Sequence, residues 1–238
     1  MNFGLIVAAG KGERFGGTKQ FFLLDGKPVV LHTVEAFERC HCIDQIVLVV
    51  NPPKINYIET LLELNEIKKI RAVVSGGNER QDSVWNGLKA LPKKGLVAIH
   101  DGVRPLFETK ILAQGFALCK NHKAVICAIP INDTVKEVKD GKISKTIDRS
   151  NLYLIQTPQF YEIGLIRKAY EKALSEKFYA TDDSTLVERL GIKVQIMPGS
   201  SSNIKITNRE DLRLVEKIVK GSAVLNQERK ATEDNSTL

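Results

Sequence analysis

The chain has 238 residues, 43% of them hydrophobic and 26% charged, the proportions of a globular protein able to bury one large α/β core or two small ones. Its net charge of +7 comes from lysines scattered over prospective helix faces, with no basic run interleaved with aromatics. That pattern argues against nucleic-acid binding and suits a small anionic substrate drawn in by the field. No apolar stretch approaches the ~20 residues of a membrane span and the N-terminus lacks a signal-type segment, so no membrane contact and a cytoplasmic location are expected.

In chain order, Phe3 to Ala8 is an unbroken apolar run, the pattern of a strand buried on both faces. It breaks into Ala9, Gly10, Gly12, Gly16 and Gly17, with Arg14 and Lys19 set among them. Open backbone N–H groups beside two fixed cations suit a polyphosphate, which needs both donors and neutralisation. Two familiar phosphate motifs are excluded. Gly12 to Thr18 lacks the Lys of a P-loop, and Phe15 occupies the third site of a dinucleotide fingerprint.

Lys27-Pro28 opens a helix with Val29, Val30, Thr33, Val34 and Phe37 on one face. Strand 43–50 follows, stopped by Asn51-Pro-Pro53, then a helix over about 54–65 and strand 70–74. Ser75-Gly-Gly-Asn78 is a turn at a strand's carboxyl end, and the next helix turns Val84, Leu88 and Leu91 inward. Strand 96–100 runs into Asp101-Gly-Val-Arg-Pro105, then come a helix over about 109–121 and strand 124–129. This alternation predicts an α/β fold, a Rossmann-like three-layer arrangement with a mostly parallel sheet, whose ligands gather beyond the carboxyl ends of the strands.

The rhythm breaks at 134–147, where Asp140-Gly141 marks a short polar hairpin expected to project as an arm and to pack on a second copy of the chain. Gln156-Thr-Pro-Gln159 precedes a helix over about 162–176, and Thr181-Asp-Asp-Ser184 starts a shorter one ending at Gly191. After strand 193–197, alternation in Asn203-Ile-Lys-Ile206 puts Lys205 on the face opposite the isoleucines. Thr207-Asn-Arg-Glu210 reads as a capping box for a last helix ending near Lys220. The domain is thus 1–220, with its arm at about 134–149, and 221–238 is expected to be a disordered polar tail. Cys40-His41-Cys42, Cys119 and Cys127 match no standard zinc spacing, and the cysteines are expected to be buried reduced thiols.

Eight short motifs stand in a specific order: Ala8-Ala-Gly-Lys-Gly-Glu-Arg14, Lys19-Gln20, Gly76-Gly-Asn-Glu-Arg80 with Ser83, His100-Asp-Gly-Val-Arg-Pro105, Asp133-Thr-Val-Lys136, Asp148-Arg149, Gln156-Thr-Pro-Gln159 and Asn203-Ile-Lys-Ile-Thr207. Together they resemble the 2-C-methyl-D-erythritol 4-phosphate cytidylyltransferase family over about residues 3 to 220. The resemblance implies that CTP and methylerythritol 4-phosphate give CDP-methylerythritol and pyrophosphate, with Mg²⁺. It implies that Ala8, Ala9, Gly10, Gly76 and Ser83 hold the cytidine, while Arg14 and Lys19 bind the triphosphate and stabilise the transition state. Asp101 would contact the metal and the nucleotide, and Arg104 the second substrate. Lys205, Arg149, Thr134 and Thr157 would place that substrate, the last three from the partner subunit of a homodimer.

The chemistry asks for little else. A phosphate monoester, with a second pKa of about 6, is already mostly dianionic at neutral pH, so no general base is required. Two alternatives remain at this point. One is a ribitol-5-phosphate cytidylyltransferase, a sister group that usually shows Ala-Gly-Gly where this chain has Ala8-Ala9-Gly10. The other is a nucleotide-binding module without catalysis.

Overall fold

The structure is a computed structural model that describes residues 1–221 except 11, 13 and 14. The expected tail therefore lies outside the described residues. Strand β1 (Asn2–Ala8) leads into the glycine loop, after which a small ladder, β2 (Leu23–Leu24) with β3 (Lys27–Pro28), precedes helix α1 (Val29–Arg39). Next come β4 (Gln45–Val50), α2 (Ile55–Leu64), β5 (Ile70–Ser75), α3 (Arg80–Ala90), β6 (Leu96–Asp101), α4 (Lys110–His122) and β7 (Ala124–Pro130). The hairpin β8 (Val135–Lys139) and β9 (Lys142–Ile147) follows, then β10 (Tyr153–Glu162), α5 (Ile163–Ser175), α6 (Asp183–Glu188) and β11 (Gln195–Pro198). A final helix, α7, covers 209–221.

The main sheet has seven strands in the order β11-β7-β10-β6-β1-β4-β5. All run the same way except β10, which is antiparallel to both β6 and β7. Alternate residues of each strand feed two cores. Ile6, Ile46, Leu48 and Val50 face α1, α2 and α4, whereas Leu5, Val47, Val49 and Ile99 face α3 and α5. Both sides of the inner strands are covered, which is why their sequences are unbroken apolar runs rather than alternating ones. A third, smaller cluster joins Phe15 of the glycine loop to Val29, Val103, Ile206 and Val215. It ties the loop to the Ile204–Ile206 segment and α7.

Sequence and structure differ at three elements. The central strand β10 was not expected, because Pro158 lies in its middle and proline cannot donate to a ladder. The register shifts between Gln156 and Gln159 on the β7 side, and that irregularity accommodates it. The capping box of α7 lies one residue later than predicted. Asn208 Oδ1 accepts from the Asp211 amide at 2.8 Å and Asp211 Oδ2 accepts from the Asn208 amide at 3.0 Å, so Thr207 and Glu210 are not the pair. Asn203–Ile206 joins no sheet and is held instead by the Ile206 amide on the Val103 carbonyl at 3.0 Å.

Candidate functional site

The strand order reverses around β1. The path from β1 goes outward through β4 and β5, then returns to β6 on β1's other side, and ligands settle at such a switch point. A cavity of about 450 Å³ opens there, lined among others by Ala8, Ala9, Gly10, Lys19, Arg80, Ser83, Asp101 and Lys205.

Its floor is backbone. Gln20 is buried and its Nε2 donates to the Ala8 carbonyl at 2.7 Å and to the Gly10 carbonyl at 2.9 Å, fixing the exit of β1. Gly12 sits at φ +69°, a conformation that disfavours side chains, and its carbonyl accepts from the amides of Phe15, Gly16 and Gly17. Lys19 follows in a short 3-10 turn and reaches the cavity. Arg14 lies outside the described residues, so its expected place beside Lys19 is carried by sequence alone.

At the far wall, a Cβ on Gly76 would meet the Ala9 Cβ at 2.2 Å. Gly76 therefore lets the two strand ends close against each other, and it is Gly77, beside it, that lines the cavity. Ser83 Oγ accepts from the Gly77 amide at 3.0 Å and donates to the Glu79 carbonyl at 3.1 Å, so it holds the turn that frames the cavity.

Asp101, at the end of β6, is the electrostatic centre. Lys205 Nζ lies 2.9 Å from Oδ2, Arg80 Nε 3.3 Å from Oδ1 and Arg104 Nε 3.5 Å from Oδ2. Burial alone would push this carboxyl up, but the three cations hold it well below the usual carboxylate range. Arg80 itself is clamped by Asp183 of α6 through two 2.9 Å hydrogen bonds, and Tyr170 donates to the same carboxylate. Burial works against the Arg80 charge, and Asp183 and Asp101 more than restore it.

Behind Asp101 the hydrogen bonds form a chain. The Asp101 amide donates to Thr157 Oγ1 at 3.0 Å, Thr157 Oγ1 contacts His100 Nδ1 at 3.1 Å, and His100 Nε2 contacts the Arg104 carbonyl at 3.2 Å. A carbonyl can only accept, so Nε2 carries the imidazole proton and Nδ1 accepts from the threonine hydroxyl. Burial pushes His100 down to about 3, and the ring is neutral.

Two of the expected substrate-binding residues have partners within their own chain. Thr157 is buried in β10, and its hydroxyl accepts from the Asp101 amide. Arg104 does not face the cavity: it is buried, and its Nη1 donates to the Asn203 carbonyl at 2.7 Å, which fastens the segment carrying Lys205. Thr134 and Arg149 flank the hairpin and are exposed, away from this chain's cavity. Arg149 donates to the Asn132 carbonyl. Gln20, Arg80 and Asp183 were not assigned roles from sequence. Gln20 and Arg80 had one available signal, their place in the ordered motifs.

For a metal, the donor set is sparse. Among the described residues no group of three or more His, Cys, Asp or Glu could hold an ion. The Asp101 carboxylate, one of two that line the cavity with Glu79, fits a magnesium ion that takes its other ligands from phosphates and water, the usual arrangement for Mg²⁺ at nucleotide sites.

Comparison with known proteins points the same way. The family model described as 2-C-methyl-D-erythritol 4-phosphate cytidylyltransferase (IspD) matches residues 3–221. A curated relative of that name from Syntrophus aciditrophicus is 45% identical over 221 residues, covering 91% of this chain and 94% of its own. The crystal structure of 4-diphosphocytidyl-2C-methyl-D-erythritol synthase from Anaerococcus prevotii superposes with a TM-score of 0.82 at 36% identity, covering 92% of this chain and 96% of that one. The Thermus thermophilus enzyme, at 28% identity, has a TM-score of 0.76 and covers 92% and 100%. No described helix is long and apolar enough to cross a membrane. With the ordered motifs, the switch-point cavity and these matches running nearly its full length, the chain belongs to the 2-C-methyl-D-erythritol 4-phosphate cytidylyltransferase family.

Proposed function

We propose that this protein transfers CMP from CTP to 2-C-methyl-D-erythritol 4-phosphate in the cytoplasm, releasing pyrophosphate. The observation that carries this reading is the convergence of Lys19, Lys205 and Arg80 on one cavity whose floor is backbone and whose centre is Asp101.

The reaction brings two polyanions into line and lets charge build on the departing pyrophosphate, so positioning and fixed charge supply most of the catalysis. Ala8, Ala9 and Gly10 offer backbone to the cytidine, with Gly76 and Ser83 holding the opposite wall. Lys19, with Arg14 preceding it in the loop, would take the phosphates and stabilise the pentacovalent arrangement at the α-phosphorus. Lys205 stands at the cavity's other side, 2.9 Å from Asp101, placed to trade that carboxylate for the phosphate of the second substrate. Asp101 would hold Mg²⁺, which supplies neutralisation of the triphosphate when bound.

The proposal includes a homodimer. Val138 and Ile143 on the hairpin and Tyr153, Leu154 and Ile155 at the start of β10 are exposed in the single chain. An arm that covers these residues on a second copy would carry Thr134 and Arg149 to that copy's cavity.

The test is pyrophosphate release from CTP and Mg²⁺, with methylerythritol 4-phosphate and ribitol 5-phosphate offered in parallel. Release with the first is expected. Release with ribitol 5-phosphate alone would overturn the assignment, and none with either would indicate a binding module.

A further inference from the structure

One motif plays no part in the catalytic site. Cys40 ends α1 and Cys42 stands two residues on, both half-buried, with exposed His41 between them. Their sulfurs are 2.8 Å apart and unbonded. Distant parts of the chain hold this approach. The Cys40 carbonyl accepts from Lys69 Nζ at 2.7 Å and from the Ile43 amide at 3.1 Å, and the Cys42 carbonyl accepts from Asn2 Nδ2 at 3.0 Å. A disulfide needs sulfurs ~2.05 Å apart, so closure asks for a movement of under an ångström. Among the described residues no third ligand joins the pair.

We propose that Cys40 and Cys42 form a thiol–disulfide exchange site that closes to an intrachain disulfide by reaction with a low-molecular-weight disulfide such as oxidised glutathione. Cys40 is the sulfur that attacks. Burial, the hydrogen bond to Cys40 and the nearness of that sulfur push the Cys42 thiol up to about 12, so Cys42 keeps its proton and donates it to Cys40. Attack by the Cys40 thiolate on the small disulfide forms one S–S bond, breaks another and expels one thiolate. Capping Cys40 removes two of the causes that hold the proton on Cys42, leaving burial opposed by a backbone hydrogen bond and the charge of Lys69. Cys42 then gives its proton to the expelled thiolate and attacks Cys40, expelling the second small thiolate, which takes up from solvent the proton that Cys40 lost on becoming a thiolate. The balance is two protein thiols and one small disulfide to one protein disulfide and two small thiols.

The experiment incubates the full chain with excess oxidised glutathione, quenches in acid and maps cysteine-containing peptides by mass. The wild type is expected to lose about 2 Da, located at Cys40–Cys42, and to regain it with dithiothreitol. Cys119 and Cys127, buried, with thiols pushed up to about 12 by that burial, stay free and serve as internal controls. Cys42→Ser is expected to accumulate a glutathione adduct at Cys40, while Cys40→Ser stays unmodified over the same time. Neither residue lines the catalytic cavity, so unchanged turnover certifies that both variants are folded. Free thiols at both positions in the treated wild type, or an adduct that persists there without closing, would overturn the proposal.

Discussion

At Asp101, burial and neighbouring charge pull in opposite directions, and three cations decide the outcome. Lys205 is the one of them most able to leave, since its side chain is 38% exposed whereas that of Arg104 is 10%. Lys205→Ala is therefore expected to lower kcat by ~10²–10³ while leaving CTP affinity largely intact. Steady-state kinetics beside CTP titration would check this, and an equal loss in both would mean that the two substrates do not occupy separate sides of the cavity. Gln20 acts earlier in the causal chain. Gln20→Ala leaves the buried Ala8 carbonyl without its side-chain donor, a loss of about 1–3 kcal/mol in unfolding stability, and raises the KM for CTP more than that for the second substrate. Equal KM changes would show that the loop's exit is not what receives the nucleotide.

Among elements, the hairpin and β10 teach different lessons. The hairpin was legible because Asp140-Gly141 supplies positive φ at both residues, at 51° and 73°, as a tight turn requires. β10 was not, because Pro158 argues locally against a central strand and only the neighbouring ladders reveal the bulge that admits it. The glycine loop and Asp101 were readable at strand ends from local pattern. Arg80 and Asp183 meet across 103 residues of sequence, and no local pattern announces such a pair. The inward turns of Arg104 and Thr157 were hidden for the same reason: burial is decided by what packs around a segment. If the arm works in trans, mixing Lys205→Ala with Arg149→Ala subunits should restore activity at about a quarter of the sites, because each mixed dimer regains one complete cavity. Refolding the two variants together and assaying turnover measures this. No recovery would place Arg149 in its own subunit's site.

For the whole molecule, a neutral buried histidine makes stability depend on pH. His100 sits between Phe37 and Phe107, with ring centroids 5.6 and 4.4 Å away, and its pKa falls from the ordinary 6.5 to about 3 on folding. Between those values the unfolded chain binds a proton that the folded chain does not. Its contribution is thus fully present above pH 6.5 and is lost as pH falls toward 3, by at most about 1.4 kcal/mol per unit. Asp101, held low by its cations, adds a loss of the same sign at still lower pH. Urea unfolding at pH 7.5 and 5 should show the drop, and His100→Asn should flatten it. An unchanged slope in the variant would assign the dependence elsewhere.

The chemistry proposed for this cavity is attack of a phosphate monoester on the α-phosphorus of CTP. Methylerythritol 4-phosphate carrying ¹⁸O in its non-bridging phosphate oxygens tests it most directly, with products separated and read by mass. All of the label should appear in CDP-methylerythritol, one labelled oxygen now bridging the two phosphorus atoms, and the pyrophosphate should be unlabelled. Label in the pyrophosphate, or no CDP-methylerythritol at all, would contradict the account.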